Sequence, residues 1–248
     1  VFYPSRLEEM LRDPRLEQHW PSLKEIRDIM KDKLGGQGPY PYFAIVLADG
    51  DRVGKLLSEM ESVEQHRALS EALSAFALEA SRIFERHRGC LVYCGGDDVL
   101  GFAPIETALC IGRELHDEFS EYLSDVSSLV TLSVGIAIGH HLEPLGTLLT
   151  YARQAERAAK EGTNRGDERN GLAIHFHTRG GGHVEWRDQW HNNPDARLKE
   201  KLNLFLRGSL PGRLPYEIYN LARDYSGWQG EEPTAHQIQI DAKRVLKR

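Results

Sequence analysis

Residues 91–103 read LVYCGGDDVLGFA, two short apolar runs separated by two glycines and two aspartates. Apolar runs on either side of a glycine-containing tetrapeptide form the pattern of a β-hairpin, because a tight turn needs the positive φ that glycine adopts without strain. The adjacent carboxylates of Asp97 and Asp98 then fall at the hairpin tip. Two readings stand on this stretch alone: the aspartates sit in water as part of a well-made turn, or the turn exists to hold a cation.

Upstream, YFAIVLADGDRVGKLL (42–57) contains a continuous apolar run from Phe43 to Ala48 that ends at Asp49. Such a run is the mark of a strand buried on both faces. Between Val63 and Arg88, Leu69, Leu73, Phe76, Ala80, Ile83 and Phe84 recur at helical period, and Gly89 stops the helix. A second helix is expected from Ile105 to Leu123 behind Pro104, with Ala108, Ile111, Leu115 and Phe119 on one face. LVTLSVGIAIG (129–139) is the strongest strand signal: bulky Leu132, Val134, Ile136 and Ile138 alternate with small Thr131, Ser133, Gly135 and Ala137. The bulky face should pack on helices, and something must approach the small face closely. A third helix from Leu145 to about Lys160, the loop GTNRG, and a strand GLAIHFHT (171–178) broken by RGGG complete the series. The order β, α, β-hairpin, α, β, α, β predicts an α+β, ferredoxin-like palm, mostly antiparallel, with helices on one face.

Three segments are expected. Residues 1–40 form an N-terminal helical and linker segment ending in GGQGPYPY; 41–185 form the palm; 186–248, charged and amphipathic, form a C-terminal helical domain or its beginning. The chain opens on Val1, so a fragment of a longer protein is the expectation.

The composition is that of a globular protein, with 40% apolar and 27% charged residues among 248. A net charge of −6 argues against a surface that binds nucleic acid by charge throughout. Cys90, Cys94 and Cys110 contain no CxxC pair, so neither a disulfide framework nor a four-cysteine zinc site is encoded. Cys90 and Cys94, four apart in a strand, read as core thiols sharing one face. No apolar run reaches the roughly 20 residues of a membrane span, and the expected location is cytoplasmic. His140, His141 and the histidines of HFHTRGGGH (175–183) read as surface and loop residues.

If the first strand neighbours the hairpin, Asp49 comes to lie beside Asp97 and Asp98. Crowded carboxylates repel and take up protons unless a cation neutralises them. Magnesium or manganese on such oxygens, two ions about 3.5–4 Å apart, activates a hydroxyl and stabilises a pyrophosphate leaving group. Gly95 and Gly96, without side chains, let a nucleotide approach the backbone. In ADGDRVGK, Gly50 and Asp51 precede amides able to cradle phosphate, with Asp51 equally suited to cap the next helix. Lys55 and Lys160 are possible phosphate contacts or solvated lysines.

FAIVLADGDRVGKLL, CLVYCGGDDVLGFAP, LSVGIAIG and YARQAERAAKEGTNRGDERNGLAIHFHTRGGG, in that order, resemble the GGDD palm of the large subunit of type III CRISPR effector complexes, most of all the Cmr subtype. The architecture is also similar to GGDEF diguanylate cyclases and class III nucleotidyl cyclases. The resemblance spans about 41–185 and implies a nucleotidyltransferase that makes cyclic oligoadenylate from ATP when its complex binds target RNA through a guide RNA. It implies Asp49, Asp97 and Asp98 as Mg2+ or Mn2+ ligands, Gly95 and Gly96 as the nucleotide turn, and Lys160 as a phosphate contact. Partner subunits would dock on the helical tail. The HD nuclease, first palm and cysteine-bearing zinc insertion usual in that family are not recognisable here. Two alternatives are a homodimeric cyclase making a cyclic dinucleotide, whose GGDEF signature is broken by Val99 and Leu100, and a nucleotide-sensing palm without turnover.

Overall fold

The computed structural model describes residues 4–33, 40–161, 169–179, 182–225 and 233–246; the glycine-rich 35–38 and the GTNRG loop lie outside them. The chain divides into two compact units, Val1–Asn192 and Asn193–Arg248. The first carries helices α1 (Pro4–Met10), α2 (Trp20–Lys33), α3 (Val53–Glu59), α4 (Val63–Arg86), α5 (Ile105–Leu123) and α6 (Leu145–Lys160). Its strands are β1 (Tyr42–Asp51), β2 (Cys90–Cys94), β3 (Val99–Ala103), β4 (Thr131–His140), β5 (Gly171–His177) and β6 (His183–Gln189). The second unit holds α7 (Pro194–Leu206), α8 (Leu214–Tyr225) and α9 (Pro233–Leu246); the Tyr225 hydroxyl donates to Asp241 Oδ2 at 2.7 Å and joins α8 to α9.

The six strands form one sheet in the order β2-β3-β1-β4-β5-β6. Every pair is antiparallel except β4 with β5. The bulky residues of β4, Leu132, Val134 and Ile136, bury against Phe76, Phe84, Ile111, Leu115 and Phe119 of α4 and α5 in the main core. The small face of β4 is covered by α6: Leu148 and Ala152 pack on Ile45 and Ala137. The expectation of helices on one face is therefore corrected, because the small side chains of β4 leave room for a helix and not for a ligand. A Cβ at Gly135 would collide with the backbone of Glu156, and one at Gly139 with the Leu148 side chain.

Two further expectations change. The boundary read at 186 falls inside β6, and the first unit runs to Asn192 while taking in the segment 1–40. Strand β6, HVEWRDQ, alternates polar His183, Glu185 and Arg187 with apolar Val184 and Trp186, but the pattern ends at Asp188 after two apolar residues, too short a run to announce a strand. Cys90 and Cys94 do not share a face: the register slips between Leu91 and Tyr93, so that Cys90 pairs with Phe102 and Cys94 with Val99. The bulge inserts one residue and reverses the alternation. Cys94 turns to the core, and Cys90 is exposed.

Adding a methyl group at Gly135 must push α6 off β4, and we expect Gly135→Ala to lose about 1–3 kcal/mol. Urea unfolding reads this as a lowered midpoint. Gly146→Ala, where a Cβ meets open space, serves as the control. Equal midpoints for the two variants would mean that α6 is not held at this distance.

Candidate active site at the end of strand β1

Strand β1 outruns β3. Its pairing with β3 ends at Ala48 opposite Val99, whereas its pairing with β4 continues to Asp51 opposite Thr131. The hairpin tip folds over the free edge so created: the Gly50 amide donates to the Asp97 carbonyl at 3.2 Å, and the Gly95 amide donates to the Asp98 carbonyl at 2.9 Å. Gly96, at φ +88°, supplies the left-handed turn residue. Gly50 is glycine for lack of space, since a Cβ there would lie 2.7 Å from Asp97 Cβ. Beside Gly95, the Tyr93 hydroxyl fills the place of a side chain. Both hairpin glycines thus have reasons internal to the fold.

This geometry brings Asp49 to Asp97 and Asp98. A hydrogen bond to Asp49, then burial, then the charges of Asp49 and Asp97 push the Asp98 carboxyl up to about 6. Burial and the charge of Asp49 raise Asp97 as well. Lys160, at the last residue of α6, forms ion pairs with Asp49 and with Glu156, the latter at 2.7 Å. Burial would lower the pKa of this lysine, but its hydrogen bonds to Asp49 and Glu156 outweigh burial and raise it. Lys160 is accordingly a partly buried counter-ion and not a solvated surface lysine. Lys55, in contrast, is exposed and pairs with Glu59 at 3.7 Å.

Asp51 departs from its reading as a nucleotide contact or helix cap. Its carboxylate is fully buried and accepts from Thr131 Oγ1 at 2.7 Å, from Ser133 Oγ at 2.8 Å, and from the Asn170 amide at 2.9 Å. Arg52, at φ 65°, precedes α3 in the capping position without a side-chain cap. Period-2 alternation puts Asp49 and Asp51 on the same face of β1, but Asp51 lies opposite the hydroxyl of Thr131 and consumes its oxygens there.

A cleft of about 640 Å3 opens beside the acids, lined among others by Asp49, Asp97, Arg52, Lys55 and Arg169. Sequence reading missed Glu156, Arg52 and Arg169. Glu156 carried a signal, the i, i+4 spacing to Lys160 at the helix end; Arg52 stands inside the ADGDRVGK stretch already singled out. Arg169 carried none, since it reaches the cleft from the far side of the GTNRG loop. Among the described residues no three His, Cys, Asp or Glu side chains already surround a common point. The donor set of Asp49, Asp97 and Asp98 nonetheless fits a hard divalent ion: all are carboxylates, two hold protons beyond their usual range, and a cationic ammonium already sits on the third.

An acid pair on a hairpin turn, beside the acid near the end of the neighbouring strand in a mixed sheet, defines a palm domain. The family model of the Cas10/Cmr2 second palm domain matches residues 42–173, and the chain belongs to this family. The Cmr2 subunit of the CRISPR Cmr system of Pyrococcus furiosus is 30% identical over 159 residues, which cover 53% of this chain and 18% of that protein. The chain thus spans about a fifth of that relative's length. The cryo-EM structure of the apo state of a type III-B Cmr-beta complex contains a chain of similar fold, with a TM-score of 0.57 at 13% identity over 95% of this chain and 36% of that one.

Two measurements check this electrostatic arrangement. Replacing Asp51 by alanine strands buried hydroxyls and an amide and should cost about 2–4 kcal/mol in urea unfolding; a wild-type midpoint would remove Asp51 from the framework. In metal-free protein Asp98 holds a proton in the folded state from the ordinary aspartate value of 3.8 up to about 6. The folded state binds more protons across that window, so this group's contribution to stability declines as pH rises from 4 to 6. The difference in stability between wild type and Asp98→Asn should therefore change across pH 4–6 and be flat above it.

Proposed function

We propose that this chain is the catalytic palm of a type III CRISPR effector complex, an ATP-dependent nucleotidyltransferase that makes cyclic oligoadenylate. The observation that carries the reading is the meeting of Asp49, Asp97 and Asp98 beside a cleft that also presents Arg52, Lys55 and Arg169. Carboxylates and cations lining one cleft suit a metal–triphosphate ligand. Asp49, Asp97 and Asp98 would hold Mg2+ or Mn2+. A divalent ion bound there supplies the charge that lowers a ribose hydroxyl pKa and offsets charge on phosphate oxygens.

In this reading the 3′-oxygen of one ATP forms a bond to the α-phosphorus of another, the bond from that phosphorus to the bridging oxygen breaks, and pyrophosphate leaves with the hydroxyl proton passing to solvent. The chain contributes position and charge: the hairpin amides hold the acids in place, and the cleft cations bind the polyphosphate. Lys160 neutralises Asp49 in the metal-free site, and its ammonium would be available to phosphate oxygens once a divalent ion held that carboxylate. Guide RNA, target RNA and partner subunits act on this site through the assembled, cytoplasmic complex. A second reading, a nucleotide-sensing palm without turnover, is favoured by the same Lys160–Asp49 pair, which satisfies the acid without metal.

The test is the complex reconstituted around the full-length subunit with guide RNA, target RNA, ATP and Mg2+ or Mn2+, its products read by mass spectrometry. Target-dependent cyclic oligoadenylate is expected, falling at least about a thousandfold in Asp97→Ala/Asp98→Ala. Undiminished synthesis in that variant would remove these residues from the chemistry. ATP binding without product from the wild-type assembly would establish the sensing role instead.

A further inference from the structure

Far from this site, β5 and β6 form one edge of the sheet, in a register that sets His175 opposite Glu185 and His177 opposite His183. Residues i and i+2 of a strand share a face with their cross-strand partners, so the four side chains make a two-by-two patch. His175 is 3% exposed, against its reading as a surface histidine, and its Nδ1 has no hydrogen-bond partner. That nitrogen lies 3.9 Å from Glu185 Oε1, and the same oxygen lies 3.2 Å from His183 Nε2. His177 stacks on Tyr151 of α6 with ring centroids 3.5 Å apart, and its Nε2 is likewise buried without a partner. Its ring centroid is 6.2 Å from that of His175 and 5.6 Å from that of His183. Burial lowers the pKa of His175 and His177 and keeps both imidazoles neutral, the form that ligates metals.

A buried nitrogen without a partner costs about 1–3 kcal/mol, and two on neighbouring rings call for a ligand that uses both. Around a tetrahedral ion with bonds of about 2.0–2.1 Å, ligand atoms stand roughly 3.3 Å apart and imidazole centres about 5–6 Å apart. The distances in the patch approach both. The side chains do not yet surround one point, and Glu185 is engaged with His183; rotation of the rings about their side-chain bonds is what remains. We propose that His175, His177, His183 and Glu185 bind one divalent transition ion of the zinc class, clipping edge strand β6 to β5. Three imidazoles select such an ion over magnesium, so this site is independent of the carboxylate set at Asp49.

The test is titration of the 248-residue chain, free of any polyhistidine tag, with cobalt(II) in excess Mg2+, followed by visible absorption. One equivalent should give the intense d–d bands of a tetrahedral site, and zinc should bleach them. His177→Ala and the exposed His183→Ala should weaken binding by more than about tenfold, while Asp97→Ala/Asp98→Ala leaves it unchanged. Failure to saturate at micromolar cobalt, or binding indifferent to His177 and His183, would overturn the proposal and leave an adventitious ion only.

Discussion

Helix α6 lies so close to strand β4 that a methyl group at Gly135 would overlap the backbone of Glu156. Contact at that distance needs a strand face of serine, glycine and alanine, which is what Ser133, Gly135, Ala137 and Gly139 supply. From it follow several features with no other common cause. The sheet is covered on both faces. The last turn of α6 is carried to the end of β1, where Lys160 and Glu156 meet Asp49. Tyr151, two turns earlier, is delivered onto His177 of β5. A bulkier β4 face would move the helix outward and dissolve the charge arrangement before altering any acidic residue.

That charge arrangement is a balance between burial and pairing. Asp97 and Asp98 are pushed toward protonation by Asp49 and by enclosure, and among the described residues Lys160 is the cation that offsets this at both while pairing with Asp49. Asp51, two residues from Asp49, escapes the competition because two hydroxyls and an amide donate to it and the Arg169 guanidinium lies 3.9 Å from it. Two acids on one face of one strand thus have opposite fates: one is built into the protein, and the other is left with a demand for positive charge that a single lysine meets in part.

Much of this was legible in the sequence. The apolar run before Asp49, the glycines of the hairpin and the bulky–small alternation of β4 depend on local periodicity, and local periodicity survives in the fold. The pairing of β1 with the hairpin then brought Asp49 to Asp97 and Asp98 as expected. What the sequence hid were facts of register and distance. The bulge at Val92 separates Cys90 from Cys94 and has no residue signal, because any residue can bulge. Strand β6 offers only Val184 and Trp186 as alternating apolar residues, too few to be read as a strand. The role of Asp51 depends on Thr131 and Ser133, eighty and eighty-two positions away. The burial of His175 comes from α6, whose approach was anticipated as a close contact but not recognised as a helix.

The two margins of the sheet differ in kind from its centre. On one side β2 is five residues long and interrupted by its bulge; on the other, β6 alternates His183, Glu185 and Arg187 along one face. A kinked ribbon and a charged one are both poor templates for strand addition by another chain. The palm can therefore keep a long, fully hydrogen-bonded β1 and β4 at its middle without inviting fibrous self-association.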